Sequence, residues 1–351
     1  MVAGALVAAV WAGNGATGKG FADPLQTPSA QRIGIGQREF QALERAGKRL
    51  VAVGQRGLVA LSDDGGQQWS QRVVPVQVDL VAVDFLDERH GWATGHDGVV
   101  LHTADGGDTW VVQFDGRQGA ALAQWYTPQQ DLDASGEYAA QIERNFGQGP
   151  WLPLLDVHFA DTANGLALGS FGMLLSTRDG GSSWQPALHM IDNPDYLHLN
   201  AIERTEGAVL IASERGTVFR SDAAGRFHPV ATGHGGTFFS LASNGSTVLA
   251  GGLRGVVYAS HDAGLSWQRV DSGLGQTVSA IRWIPSRQRF VLVTIGGEVA
   301  SADAQASRFE PVGGFNPGIL TGVIDAGGQL LVGGIQGLQL GGLDVASGDA
   351  R

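Results

Sequence analysis

Three arginines, Arg56, Arg215 and Arg254, hold the same place in a recurring tripeptide that ends in glycine: Gln55-Arg56-Gly57, Glu214-Arg215-Gly216 and Leu253-Arg254-Gly255. A guanidinium presents a planar fork of donors that matches a carboxylate, so arginines at equivalent positions point to an acidic peptide or a carboxyl terminus as ligand. His96-Asp97-Gly98 occupies the same place and adds an imidazole and a carboxylate, although Asp-Gly is also the ordinary signal of a two-residue hairpin turn. Asp192, Asn193 and His198, in the run Asp192 to Leu199, complete the candidate partner-binding residues. A turn before Pro194 accounts better for the first two. No residue is assigned a catalytic role, because no P-loop, dinucleotide fingerprint, His-x-x-x-His or serine elbow occurs. With no cysteine and scattered histidines, no metal and no cofactor are expected.

The composition narrows the classes further. The 351 residues include 54 glycines, about twice the usual share. Charged residues make up 16%, the net charge is −11, and Lys19 and Lys48 are the only lysines. A hydrophobic content of 43% excludes a disordered chain, and an acidic balance speaks against a nucleic-acid partner. The apolar run Ala3–Ala12 is too short to span a bilayer and suits the core of a signal peptide over residues 1–22, with processing near Gly20-Phe21-Ala22. The mature chain, 23–351, is then expected to be exported, periplasmic, monomeric and not itself membrane-spanning.

Repeats must position the candidate residues. Four copies of Ser/Thr-x-Asp-x-Gly-x-x-Trp place Asp64, Asp105, Asp179 and Asp262 five residues before Trp69, Trp110, Trp184 and Trp267. Eroded copies around Asp222 and Asp303 end in Phe227 and Phe309. The six aspartates are spaced by 41, 74, 43, 40 and 41 residues. The long step is one repeat plus an insertion. The Gly-ended turn recurs seven times, with Ser170-Phe171-Gly172, Ile295-Gly296-Gly297 and Ile335-Gln336-Gly337 completing the set. Short β-rich runs flank each turn, such as Leu50-Val51-Ala52-Val53 and Leu58-Val59-Ala60-Leu61. Four short strands per repeat describe one propeller blade, and seven repeats predict an all-β, seven-bladed β-propeller of four-stranded antiparallel blades. The insertion, about 116–151, should be helical over Ala120–Trp125 and Tyr138–Phe146 and should join blades two and three.

In such a blade the box Asp accepts backbone N–H groups within its turn, the Gly permits positive φ, and the Trp packs between blades. The boxes are therefore read as structural, with their tryptophans buried. Because strands alternate in direction, the Gly-ended turns, the insertion and the 186–199 loop should share one face, with the boxes on the other. Too few residues follow Gly337 for a fourth strand. Residues 23–38 are therefore expected to supply the outer strand of blade seven.

The boxes resemble the Asp-box (BNR) repeats of sialidases and many other propellers, which implies a fold and not a function. A longer resemblance runs through Gly54-Gln55-Arg56-Gly57, His90 to Gly98, Asp192 to Leu199, Gly252-Leu253-Arg254-Gly255 and the Phe21 to Leu25 start. These segments are similar to the photosystem II stability/assembly factor family. The resemblance implies an exported or lumenal, non-catalytic propeller that binds a membrane protein or complex subunit, with an arginine patch on one face. Relatives occur in bacteria without photosynthesis, where the resemblance suggests association with an RND-type exporter. The Gly-rich, Lys-poor character of this chain points to that group. The alternative is a sialidase-like glycoside hydrolase, in which three arginines would clamp a substrate carboxylate beside a tyrosine nucleophile. The family's Arg-Ile-Pro start is absent, Gln31-Arg32-Ile33-Gly34 being nearest. Tyr126 and Tyr138 lie in the insertion and Tyr258 in a third strand.

Overall fold

The computed structural model describes residues 22–129 and 131–342. They form seven antiparallel sheets, over 40–72, 80–114, 154–186, 199–231, 238–270, 278–311 and 320–341. In each, consecutive strands are neighbours, and the first strand lies innermost, lining a central channel. The innermost strands are Phe40–Ala46, Leu80–Phe85, Leu154–Phe159, Leu199–Thr205, Phe238–Ser243, Val278–Ile284 and Leu320–Asp325. Packing of the first against the last closes the ring. Thr321 Oγ1 donates to Phe40 O across this junction at 2.7 Å.

The second strand of each blade has a neighbouring blade on both faces. Its sequence is accordingly a continuous apolar run rather than an alternating one, and Leu50–Gly54 is buried throughout. Outer strands such as Ser70–Arg72 are polar and partly open to water. Five second strands end in a glycine facing a bulge in the inner strand. At Gly95, φ is −173°, which any residue adopts, so close approach is what demands glycine. A Cβ there would strike the carbonyl oxygen of Asp79. Gly95→Ala is therefore expected to cost about 1–3 kcal/mol through forced backbone displacement, read as a lowered melting temperature.

Between blades two and three the chain forms two helices, α1 (Gly119–Tyr126) and α2 (Glu137–Phe146). Gly136 enters α2 with φ 70°, and the Asp133 carboxylate accepts from Tyr138 N (3.2 Å) and Ala139 N (3.0 Å). That satisfies two of the N–H groups a helix start leaves unpaired. Leu122, Tyr126, Ile142 and Phe146 bury against Leu152, Leu154 and the side of blade three.

The expectation for residues 23–38 needs correction. They form no fourth strand of blade seven, which has three strands among the described residues. Instead the segment follows the outside of blade one. Ser29 N donates to Val74 O (2.8 Å), Gln77 N donates to Pro24 O (2.8 Å), and Leu25 buries beside Val74 and Val76. Pro24 and Pro28 have no N–H to contribute to a ladder. Only the turn Ile35–Gln37 reaches blade seven, with Ile35 packed near Leu338 and Leu340. The apolar run 3–12 lies outside the described residues. Among the described residues no helix is long and apolar enough to cross a membrane.

Candidate functional site

The Gly-ended turns of blades one to five share one geometry. In these five of the seven the last two residues both take positive φ: 54° and 68° at Arg56-Gly57, 55° and 67° at Asp97-Gly98, 53° and 69° at Phe171-Gly172, 54° and 67° at Arg215-Gly216, 57° and 72° at Arg254-Gly255; at Gly296-Gly297 and Gln336-Gly337 only the final glycine does. Two successive left-handed residues are what a type I′ hairpin requires. The next blade anchors the tip. Asp79 Oδ1 accepts from Arg56 N at 2.8 Å, and Thr277 Oγ1 accepts from Arg254 N at 3.4 Å. With the backbone so held, the Arg56 and Arg254 side chains are exposed and make no ion pair among the described residues. Arg215 differs, because its Nη1 lies 2.7 Å from Asp195 Oδ2, an exposed pair. Arg215 and Arg254 stand on adjacent blades four and five, and Arg56 on blade one.

The remaining candidates divide. His96 is exposed, and Asp97 is half-buried. Burial holds the Asp97 carboxyl above its ordinary range against the pull of His96, and the nearby Asp23, Asp115 and Asp79 add to the rise. Asp192 is exposed and lines a hollow of about 230 Å³ with Tyr138, Tyr196, Arg226 and His228. Asn193 takes the turn role rather than that of a surface ligand. It is buried, accepting from Leu197 N (2.9 Å) and donating to Leu197 O (3.0 Å), so it closes the loop from within. His198 is held by its backbone, with its N–H donating to Glu214 Oε2 (2.9 Å) and its carbonyl accepting from Ser213 Oγ (2.6 Å). Its ring stands edge-on to Phe171 at 4.7 Å. The α2 residue Gln141 donates to the Phe171 carbonyl, which ties the insertion to the same end of blade three.

At the opposite ends of the blades the box aspartates face their own turns. Asp64 Oδ1 accepts from Gln68 N (2.9 Å), Ser62 Oγ (2.8 Å) and Gln67 N (3.0 Å), which lowers its carboxyl below the ordinary range. Asp105, Asp179 and Asp262 repeat the arrangement, each also accepting a hydroxyl at 2.6 Å, from Thr109, Ser183 and Ser266. Trp69 and Trp110 donate to the Gly66 and Gly107 carbonyls. Trp110, Trp184 and Trp267 are buried, but Trp69 is half-exposed. Trp69 is thus less buried than the other three, which are buried as the box reading expects.

The channel holds charged residues that the motif reading passed over. Glu44, Asp84, His158, Glu203 and Arg282 occupy one level of the inner strands, with Asp156 a step above, around a cavity of about 330 Å³. Arg282 Nη1 reaches across blade seven to Glu44 Oε2 at 3.0 Å. His158 Nδ1 lies 3.6 Å from Asp84 Oδ2. Asp156 and Glu203 have no ion-pair partner among the described residues, and burial pushes each up to about 7. His158 is shifted upward as well: burial pushes it down, but the Asp84 carboxylate prevails. Aligning the repeats strand by strand would have exposed this level, because a charged residue recurs within an otherwise apolar inner strand.

The sialidase constellation is not assembled from the tyrosines considered. Tyr126 is buried with its hydroxyl 3.0 Å from His189 Nδ1, Tyr138 packs on Tyr126, and Tyr258 is buried between Phe238 and His234.

Comparison with known proteins places this geometry. The family described as photosynthesis system II assembly factor YCF48 matches residues 41–117. The photosystem II assembly lipoprotein Ycf48 of Synechococcus sp. (strain CC9902) is 23% identical over 254 residues, covering 66% of this chain and 75% of that protein. Two solved structures share the fold. One, described as YCF48 bound to D1 peptide, has 13% identity and a TM-score of 0.64, covering 92% of this chain and 97% of that one. The other, YCF48 from Cyanidioschyzon merolae, has 15% identity and a TM-score of 0.62, covering 90% and 99%. The chain is thus a seven-bladed propeller similar to the photosystem II assembly-factor family, whose model matches residues 41–117.

Proposed function

We propose that this protein is an exported, non-catalytic propeller that assists assembly or stability of a membrane complex by docking an acidic segment of one subunit on its Gly-turn face. The observation that carries the reading is the pair of exposed guanidinium groups of Arg56 and Arg254, held on anchored hairpin tips without an internal partner among the described residues. Each arginine occupies a left-handed position that disfavours any side chain by roughly 1–2 kcal/mol, so these turns keep arginine where glycine would be easier. Loops on a rigid scaffold are where binding usually resides. The similarity to assembly factors, one of them described as bound to a peptide, supports a peptide-docking role. Arg215 joins the site by exchanging Asp195 for the ligand's carboxylate. That exchange costs little, because an exposed pair contributes roughly 0–1 kcal/mol.

The test is the Arg215→Glu, Arg254→Glu double variant, checked for fold by circular dichroism and for partner recovery from native membranes. Partner affinity is expected to fall at least about tenfold, with little change in stability. Unchanged recovery by a folded variant would overturn the arginine-face reading. The subunit recovered by the wild type decides between a photosystem-type complex and an RND-type exporter.

A further inference from the structure

At the first position of the Gly-ended turns, blades one to four carry Gln55, His96, Ser170 and Glu214, whereas blades five to seven carry Leu253, Ile295 and Ile335. The three apolar residues are 40%, 44% and 42% exposed. Phe239 and Ile319, on the inner strand of blade five and just before that of blade seven, are similarly open. Together they form an apolar shelf on three contiguous blades, on one side of the channel mouth. A hollow of about 430 Å³ opens within it, lined by Phe239, Leu253, Ile295, Thr277, Ser279 and Thr321 among others. Arg254 directly follows Leu253, and Thr277, which anchors the Arg254 backbone, lines the hollow itself. A contiguous exposed apolar patch with a charged edge is the mark of an interaction site.

Charge selects among occupants. An anionic bilayer is drawn to clusters of lysine and arginine, but this chain has a net charge of −11 and two lysines. A second copy brings the same −11, and the two are mutually repelled. A short peptide carries one or two charges, so the local guanidinium of Arg254 governs its approach. The shelf is shallow because each side chain is already half-packed on its own blade, which suits an extended segment whose alternate side chains point one way.

We infer that the shelf on blades five to seven selects the docked segment, recognising an extended peptide with apolar side chains at alternate positions next to a carboxylate bound by Arg254. The inference rests on the arginine-face reading above and adds the identity of the residues beside the carboxylate.

The experiment is fluorescence anisotropy with a labelled octapeptide, Ser-Leu-Ser-Leu-Ser-Leu-Asp-Ala with a free carboxyl end. Two relatives accompany it, one with every leucine replaced by serine and one amidated with asparagine for aspartate. The wild type is expected to bind the parent peptide at least about tenfold more tightly than either relative. The Leu253→Ser, Ile295→Ser variant should bind the parent no better than the serine peptide. The milder Ile295→Thr variant, with an unchanged melting temperature, should show part of that loss. Arg254→Asn should lose the preference for the charged peptide and keep the preference for leucine. Parent binding that is unaffected in the shelf variants but lost in Arg254→Asn would overturn the shelf and leave the arginine reading standing. Failure of the wild type to distinguish charged from neutral peptide would remove both. Dimerisation in sedimentation velocity, or co-sedimentation with phosphatidylglycerol vesicles, that the shelf variants abolish would assign the patch to a second copy or to a membrane and overturn the inference.

Discussion

Trp110→Ala is expected to destabilise the protein by about 3–5 kcal/mol, because it removes a buried aromatic ring and leaves a cavity between blades. The Trp110 ring is 6% exposed, stands edge-on to Phe85 at 6.1 Å, and donates to the Gly107 carbonyl at 2.9 Å. For a chain of this size the loss corresponds to a fall in melting temperature on the order of 10 °C. Trp69→Ala is expected to cost less, about 1–3 kcal/mol. Its ring lies 6.5 Å from Phe40 at the junction of blades one and seven, where Trp69, Ile35, Leu338 and Leu340 are only partly buried around the shared core and no fourth strand of blade seven is present among the described residues. Trp184 and Trp267 separate ring packing from hydrogen bonding, because their indole N–H groups are buried without a partner among the described residues. Trp267→Phe should therefore be nearly neutral, whereas Trp110→Phe should lose about 1 kcal/mol with its hydrogen bond. Equal melting temperatures for wild type and Trp110→Ala, measured by circular dichroism, would mean that the boxes do not hold the blades together.

Lowering the pH from about 8.5 to about 5.5 is expected to stabilise the ring, by about 2–4 kcal/mol after allowance for water in the channel. Asp156 and Glu203 are raised by burial to about 7 in the folded protein. In the unfolded chain both titrate near 4, so across this window the folded state binds protons that the unfolded state has released. A raised pKa contributes stability that is present below the unfolded value and is lost as pH rises through the folded one. His158, also raised, adds in the same sense. His102, His189 and His234 are lowered by burial and act oppositely as the pH falls through their unfolded value. The carboxyl variants isolate the channel. Glu203→Gln should flatten the dependence and raise the melting temperature at the alkaline end, while the amide still accepts from Arg204 N. A melting temperature that is flat from pH 5.5 to 8.5, or a Glu203→Gln profile parallel to wild type, would show that the channel carboxyls stay charged.

Most of the architecture could be read from local signals. The box Asp, its Gly and its Trp lie within eight residues of one another. The turn they build needs only that span: Asp64 bonds to residues two to four positions away. The Gly-ended turns are similarly local, and their spacing counts the blades. The helices of the insertion are local as well: the expected stretches Ala120–Trp125 and Tyr138–Phe146 fall within the observed Gly119–Tyr126 and Glu137–Phe146.

What failed, or stayed hidden, depends on distant parts of the chain. Residues 23–38 have the length to be an outer strand, but competition between blade one and blade seven decides their place. Val74 and Val76 win, by burying Leu25 and pairing with Ser29. Asn193 could be read as a turn residue, but only the closure of its loop on Leu197 shows that its side chain is buried and closed to a ligand. The channel cluster is the clearest case. Glu44 and Arg282 are more than two hundred residues apart and meet because ring closure brings blade six within reach of blade one. The carboxyls of Asp156 and Glu203 are unremarkable in sequence. Seven inner strands enclose them, and that enclosure withdraws the water that would keep them charged near neutral pH. The sequence by itself determined the repeat, the turn chemistry and the blade count, because each is settled by hydrogen bonds and side chains within about ten residues. The tertiary structure alone decided which charges share the channel, which arginines keep free guanidinium groups and which apolar tips adjoin, because those depend on where the closed ring places one blade against another.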